Sequence, residues 1–297
     1  MQVAQNINEA GQFFSFEFFP PKDKSTWPKF MERAERLAAL NPLFASVTYG
    51  AGGTSHDNSL EICSLLKKDM GIDILAHLTC VGASEESIDG FVSSLVEAGV
   101  SDILALGGDG VADANGNGQS RFYHALDLVE YVDGKFSDVG IAVAGYPGGH
   151  PESPSLFRDL EFHHAKLSKG ADFTMTQLFF DNRVYFDYVD RLAEMGIDRP
   201  VIPGVLPIQS LGSLRRIMSL CGAAIPGDLY CGVEKAFEEG GDEAVMEFGF
   251  DFARKQIADL LDKGAPGVHI YSLNRAAMCE RLITDLKGDG YFNLNDR

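Results

Sequence analysis

The sequence predicts an α/β fold, a single (β/α)8 barrel over residues 1–297 with extra helices between strands 7 and 8. Three observations carry that expectation. Short apolar or β-branched runs recur along the chain, with apolar residues at helical spacing between them. A glycine stands after helix upon helix, just before the next run. No linker-like stretch divides the chain. Eight strand-helix units with short connections imply a parallel sheet, and eight parallel strands most often close into a barrel.

The first strand, 13–19, is strongly aromatic and is stopped by Pro20-Pro21. Proline has no N–H for a ladder and restricts the residue before it. The helix that follows carries Phe30, Ala34, Leu37 and Leu40 on one face. Strands two and three are expected at 43–48 and 73–79. Ser84 then caps a helix with Glu85 and Glu86 in its first turn and Ile88, Phe91, Val92 and Leu95 at core spacing. Further strands are expected at 102–106, 140–145, 172–178, 201–205 and 268–271. Gly71, Gly99, Gly170, Gly196 and Gly264 close the helices between strands. The segment 207–267 is long for one unit and includes a predicted helix over 243–263 with Val245, Phe248, Phe252, Ile257, Leu260 and Leu261. An open doubly wound sheet is the alternative, weakened because Pro20-Pro21 stands where a GxGxxG turn belongs.

Composition narrows the function. The net charge of −18, from 43 acidic and 25 basic residues, repels nucleic acid and anionic membranes. Small molecules and other copies of the chain, in a homo-oligomer, are the expected partners. No run approaches the roughly 18 apolar residues of a membrane span, and residues 1–11 lack a signal-peptide pattern. Five scattered cysteines without CxxC spacing point to reduced thiols in a cytoplasmic protein with no metal site.

In a barrel the active site lies at the carboxyl ends of the strands. Those ends carry Glu17, Thr48-Tyr49-Gly50, His77 and Thr79, Gly107-Gly108-Asp109, Tyr146 and His150, Gln177, Pro203-Gly204, and Tyr271, Asn274 and Arg275. Glu17 is the odd member of an aromatic strand, because desolvating a carboxylate is expensive. Read singly, several have plainer explanations. Glu17 fits an edge-strand carboxylate reaching water, and His77 a hydrogen-bonded core histidine. Gln177 fits a backbone partner, and the glycines after strand four fit a tight turn. His163-His164 reads as a solvated helix face, without a third metal ligand at suitable spacing. The 50–55 loop, GAGGTS, resembles a phosphate loop only loosely and lacks its lysine.

Taken together, the strand ends resemble the methylenetetrahydrofolate reductase family. The matching pieces are Phe14–Lys22, Ser46–Gly53, Ala76–Cys80, Ala105–Asp109, Tyr146–Glu152, Thr176–Asp181, Ile202–Pro207 and Val268–Arg275, in family order. The resemblance implies an oxidoreductase barrel that uses FAD and NADH or NADPH to reduce 5,10-methylenetetrahydrofolate to 5-methyltetrahydrofolate. It implies that Glu17 is the general acid and that Asp109 supplies a negative charge near substrate and flavin. Gln177 and Arg275 would then bind substrate. Thr48, Tyr49, Ala51, His77, Gly107, Gly108, Asp109, Tyr146, His150, Asp159 and Lys166 would fall around the cofactors. The chain departs from the pattern where Gly107 replaces an arginine, Phe162 an asparagine and Ala165 a basic residue. Two other readings stand beside the flavoenzyme: the same reduction by direct hydride transfer from nicotinamide, and a folate- or nucleotide-binding barrel without turnover.

Overall fold

In the computed structural model, which describes residues 2–49, 56–80, 82–108 and 121–292, β1 runs Phe13–Phe18 with every residue buried. Its side chains alternate between two cores, as a strand's must. Phe14, Phe16 and Phe18 point outward into the layer under the helices, while Phe13 joins the apolar interior. Ser15 and Glu17 share the inward parity of Phe13.

The remaining strands are β2 Ala45–Val47, β3 Ile74–Thr79, β4 Asp102–Leu106, β5 Gly140–Gly145, β6 Phe173–Thr176, β7 Val201–Ile202, β8 Gly204–Val205 and β9 Gly267–Ile270. All pairings are parallel, in the order β7-β6-β5-β4-β3-β2-β1-β9-β8. β7 and β8 are two halves of the predicted strand 201–205, parted at Pro203, which has no N–H to give a ladder. The Pro203 carbonyl still accepts the His269 N–H at 2.9 Å, so the ring of eight closes across the break.

Helices pack outside the ring: α2 Trp27–Ala38, α3 His56–Met70, α4 Glu85–Glu97, α5 Ala125–Lys135, α6 Leu156–Ser168, α7 Asn182–Glu194 and α10 Ala276–Gly288. Ser84 caps α4 as expected, its hydroxyl accepting the Ser87 N–H at 3.1 Å. The five helix-closing glycines all take positive φ, the conformation that costs glycine least. The long 207–267 segment forms α8 (Leu211–Cys221) and α9 (Gly227–Asp262). α9 extends well upstream of the predicted 243–263 and turns at Gly240 and Gly241, whose backbone is non-helical. Its first half packs with α8 in a separate apolar cluster beside the barrel, and its second half packs on the barrel wall. Among the described residues no helix is long and apolar enough to cross a membrane.

One element has no counterpart in the expected pattern. α1 (Gln2–Glu9) presents Val3, Ala4 and Ile7 to the barrel interior, where they meet Phe44, Leu104 and Phe173. Its free N–H groups are satisfied from across the fold: Asp102 accepts from Gln2 at 2.8 Å, Val3 at 3.1 Å and Ala4 at 3.4 Å. A buried carboxylate at a helix N-terminus is both a cap and a complement to the helix dipole. Asp102→Ala is expected to lower stability by about 2–3 kcal/mol, since charge-assisted bonds are worth roughly 1.5–3 kcal/mol. Thermal unfolding reads it, and a change below about 0.5 kcal/mol would mean that apolar packing alone holds α1.

Candidate active site

Glu17 occupies the last inward position of β1, beside Ser46 in the register with β2, and is 5% exposed. The strand end is pinned by the turn after β9. Ser272 donates to the Glu17 carbonyl at 2.6 Å, and Asn274 accepts the Phe19 N–H at 3.0 Å while donating to the Phe19 carbonyl at 2.8 Å. Asn274 holds φ 56°, a left-handed conformation that asparagine tolerates better than most residues. Pro20-Pro21 ends the strand and the Asn274 clamp sets its direction, so the carboxyl of Glu17 is held inside the barrel.

Burial pushes the Glu17 carboxyl up to about 8, because the charged form loses its hydration. His77 on β3 lies opposite, its Nε2 3.6 Å from Glu17 Oε2. Burial lowers His77 to about 3. Both groups are therefore neutral near pH 7 and the pair is not an ion pair. At 3.6 Å it also lies beyond hydrogen-bond range, and His77 Nε2 has no partner.

Just below is a polar layer that the sequence did not single out. His269 on β9 shares 2.8 Å with the Ser15 hydroxyl at Nδ1 and 3.2 Å with the Ser46 hydroxyl at Nε2, and stacks on Phe44. Both ring nitrogens are engaged, and burial holds it neutral, down to about 3. The signal was the period-two spacing of Ser15 with Glu17, which puts both on one face. Tyr271, two residues on, donates to the Thr176 carbonyl at 2.7 Å. Burial first, then Glu17, Tyr146 and Cys221, raise its hydroxyl well above the usual value.

The other expected site residues fall into three groups. Gln177 and Tyr146 line a cavity of about 490 Å³ between the ends of β5 and β6 and the α8–α9 connection, which Cys221 also lines. The Gln177 side-chain oxygen accepts the Leu178 N–H at 2.9 Å, and Tyr146 stands edge-on to His150 at 4.6 Å. Thr48 follows β2. Gly107 and Gly108 follow β4, and a Cβ on Gly108 would come within 3.1 Å of Thr79. These residues lie at the same strand ends as Glu17 and His77, neither of which lines that cavity. A second group faces elsewhere. Tyr49 packs its ring edge-on against Phe91 of α4, and burial pushes its hydroxyl up to about 12. Asp159 and Lys166 lie on α6. Asp159 accepts from Ser153 at 2.9 Å, and Lys166 donates to the Ala144 carbonyl at 2.9 Å. Burial holds Lys166 down to about 8. Arg275 is exposed at the start of α10. Asp109, Ala51 and the rest of the 50–55 loop lie outside the described residues.

The expectation for His163-His164 is corrected. His163 is buried and shares 2.8 Å with the Thr174 hydroxyl, so α6 turns that histidine inward toward β6. With His163 four residues after Asp159 and three before Lys166, all three share the helix face that meets the sheet.

The fold and this mouth define a parallel α/β barrel with a buried carboxyl group at its strand ends. The sequence model described as methylenetetrahydrofolate reductase matches residues 2–287, and the chain belongs to that family. An Arabidopsis thaliana relative, "Methylenetetrahydrofolate reductase (NADH) 1", is 34% identical over 91% of this chain and 48% of its own length. A Caenorhabditis elegans relative, "Probable methylenetetrahydrofolate reductase (NADPH)", is 32% identical over 100% of this chain and 46% of its own. The chain thus spans about half the length of these relatives. Against "5,10-methylenetetrahydrofolate reductase" of Pectobacterium carotovorum it is 32% identical, over 90% of this chain and 89% of that one. A solved Clostridium thermocellum structure, titled as binding two copies of 5-methyl-5,6,7,8-tetrahydrofolic acid, aligns with TM-score 0.64 at 16% identity. It covers 97% of this chain and 100% of that chain, and the likeness shows the fold alone.

Proposed function

We propose that this chain reduces 5,10-methylenetetrahydrofolate to 5-methyltetrahydrofolate with NADH or NADPH, and that Glu17 is the general acid. The observation that carries the reading is Glu17 itself, a carboxyl at the strand ends that keeps its proton up to about pH 8. The five-membered ring of the substrate opens when N10 is protonated, which leaves an iminium cation between N5 and the methylene carbon. Hydride added to that carbon makes the methyl group. One proton and one hydride are consumed, and Glu17 supplies the proton at a pH where an ordinary carboxyl has none. Gln177 and Tyr146 border the cavity that would take the pterin.

The mouth also fits a flavin ring. The glycines after β4 let a planar group approach backbone, since no neighbour lies within 4 Å of a Cβ built on Gly107. Tyr146, Gly107 and Gly108, with His77 beside them, would border the ring of FAD, which when bound carries hydride between nicotinamide and folate. A second reading, direct transfer from nicotinamide, is favoured by one observation. Gly107 brings no charge to a diphosphate, and the Lys166 amine is buried, with one of its three donors given to the Ala144 carbonyl.

The test is an assay of the purified chain with 5,10-methylenetetrahydrofolate and each reduced nicotinamide, with and without added FAD. Formation of 5-methyltetrahydrofolate is the expected result, and no turnover under any of these conditions overturns the proposal. The visible spectrum separates the two readings: turnover with a flavin band supports the first, and full turnover by flavin-free protein the second.

A further inference from the structure

We propose that His77 is the hydrogen-bond donor that receives the Glu17 carboxylate once the acid has given up its proton. The inference rests on the acid role proposed above. It starts from a pair of buried side chains, 9% and 7% exposed, that face each other at 3.6 Å without bonding. His77 Nε2 has no hydrogen-bond partner. A protonated carboxyl tolerates burial at Glu17. The carboxylate left after proton transfer does not, because a desolvated anion needs N–H or O–H donors.

Two polar neighbours on β9 and after it are otherwise occupied. From β9, His269 spends both ring nitrogens on Ser15 and Ser46, and the Tyr271 hydroxyl is donated to Thr176. From α8, Cys221 offers only a thiol, a weak donor. Among the described residues His77 presents to Glu17 a buried ring nitrogen that has no partner, 3.6 Å from the carboxyl. Closing its gap to about 2.9 Å takes a shift of about 0.7 Å.

The chemistry of the donor matters as much as its place. Burial keeps His77 uncharged, so it can offer one N–H without bringing a positive charge. A lysine or arginine there would draw the proton off Glu17 before substrate arrived. A neutral imidazole leaves the resting acid loaded and stabilises only its product. His77 is thus a positioning residue that acts through Glu17.

The test is an infrared titration of the Glu17 carboxyl stretch in the intact chain, assigned by its loss in Glu17→Gln. In His77→Phe the midpoint is expected to rise by about one pH unit or more, because the charged form has lost its donor. In His77→Gln, which keeps an N–H, it stays within about half a unit of the parent. If His77→Phe does not fold, His77→Met makes the same comparison. An unchanged midpoint in the donor-free variant overturns the proposal. So does a fall, which would mean that His77 accepts the proton of the neutral acid. The titration needs no turnover, so an inactive parent would sink the functional reading while leaving the midpoints readable.

Discussion

Glu17→Gln is expected to slow folate reduction by ~10²–10⁴-fold, the usual contribution of a general acid, while NAD(P)H oxidation by an artificial acceptor continues. Glutamine keeps the shape and the neutrality of the protonated acid but has no proton to give. The parent's folate reduction should itself fall as pH rises through about 8, where Glu17 empties, and the variant should lose that limb. Stability gives an independent reading with a definite sign. The unfolded chain releases this proton near 4.5 and the folded chain near 8, so between those values the folded state binds more protons. Stability contributed by the neutral form is complete below pH 4.5 and declines as pH rises toward 8. Glu17→Gln removes that slope. Thermal unfolding at pH 5 and pH 8 should show the variant gaining on the parent at the higher pH. A variant that reduces folate normally would dispose of the acid role, whatever the melts show.

Gly204→Ala is expected to destabilise the protein by about 3 kcal/mol, the upper part of the range for overpacking a tight core. A Cβ at this position would lie 2.4 Å from the Thr176 carbonyl oxygen and within 2.8 Å of the Tyr271 ring and hydroxyl. One of these obstacles is backbone, and the other is a side chain already bonded to that same carbonyl. Nothing nearby is a flexible tip that can swing away. The damage falls where β8 follows Pro203, the seam at which the ring closes. Equilibrium unfolding in urea measures it, and weakened folate binding is expected alongside, because Tyr271 and Gln177 border the mouth. A loss below about 1 kcal/mol would mean that the seam yields freely.

The strands were legible because each is short, apolar and bounded by a glycine-closed helix, a pattern set by local geometry. Pro20-Pro21 and Ser84 fixed boundaries through backbone chemistry that operates within a few residues. What escaped depends on distant partners. α1 reads as a polar N-terminal segment until Asp102, about a hundred residues away, offers its carboxylate to three N–H groups. His163 looks like half of a solvated pair until Thr174 turns it inward. In the site, Glu17 was legible as the one carboxylate in an aromatic strand, and the family motifs placed its neighbours along the chain. The layer of Ser15, Ser46 and His269 was not, since two serines and a histidine on three strands become a unit only when the ring closes. Lys166 shows the same dependence: its spacing was legible, but its burial and its bond to the Ala144 carbonyl were not.

The N-terminal helix makes the barrel a vessel with one opening. Below Glu17 the bore is filled first by the serine–histidine layer and then by Phe44, Leu104 and Phe173, and α1 stoppers the far end. Among the described residues this packing separates Glu17 from the far end of the bore, so under the proposed acid role its proton would return by the mouth. Under the proposed function, recharging the acid would then be tied to the traffic of substrate and product through the mouth.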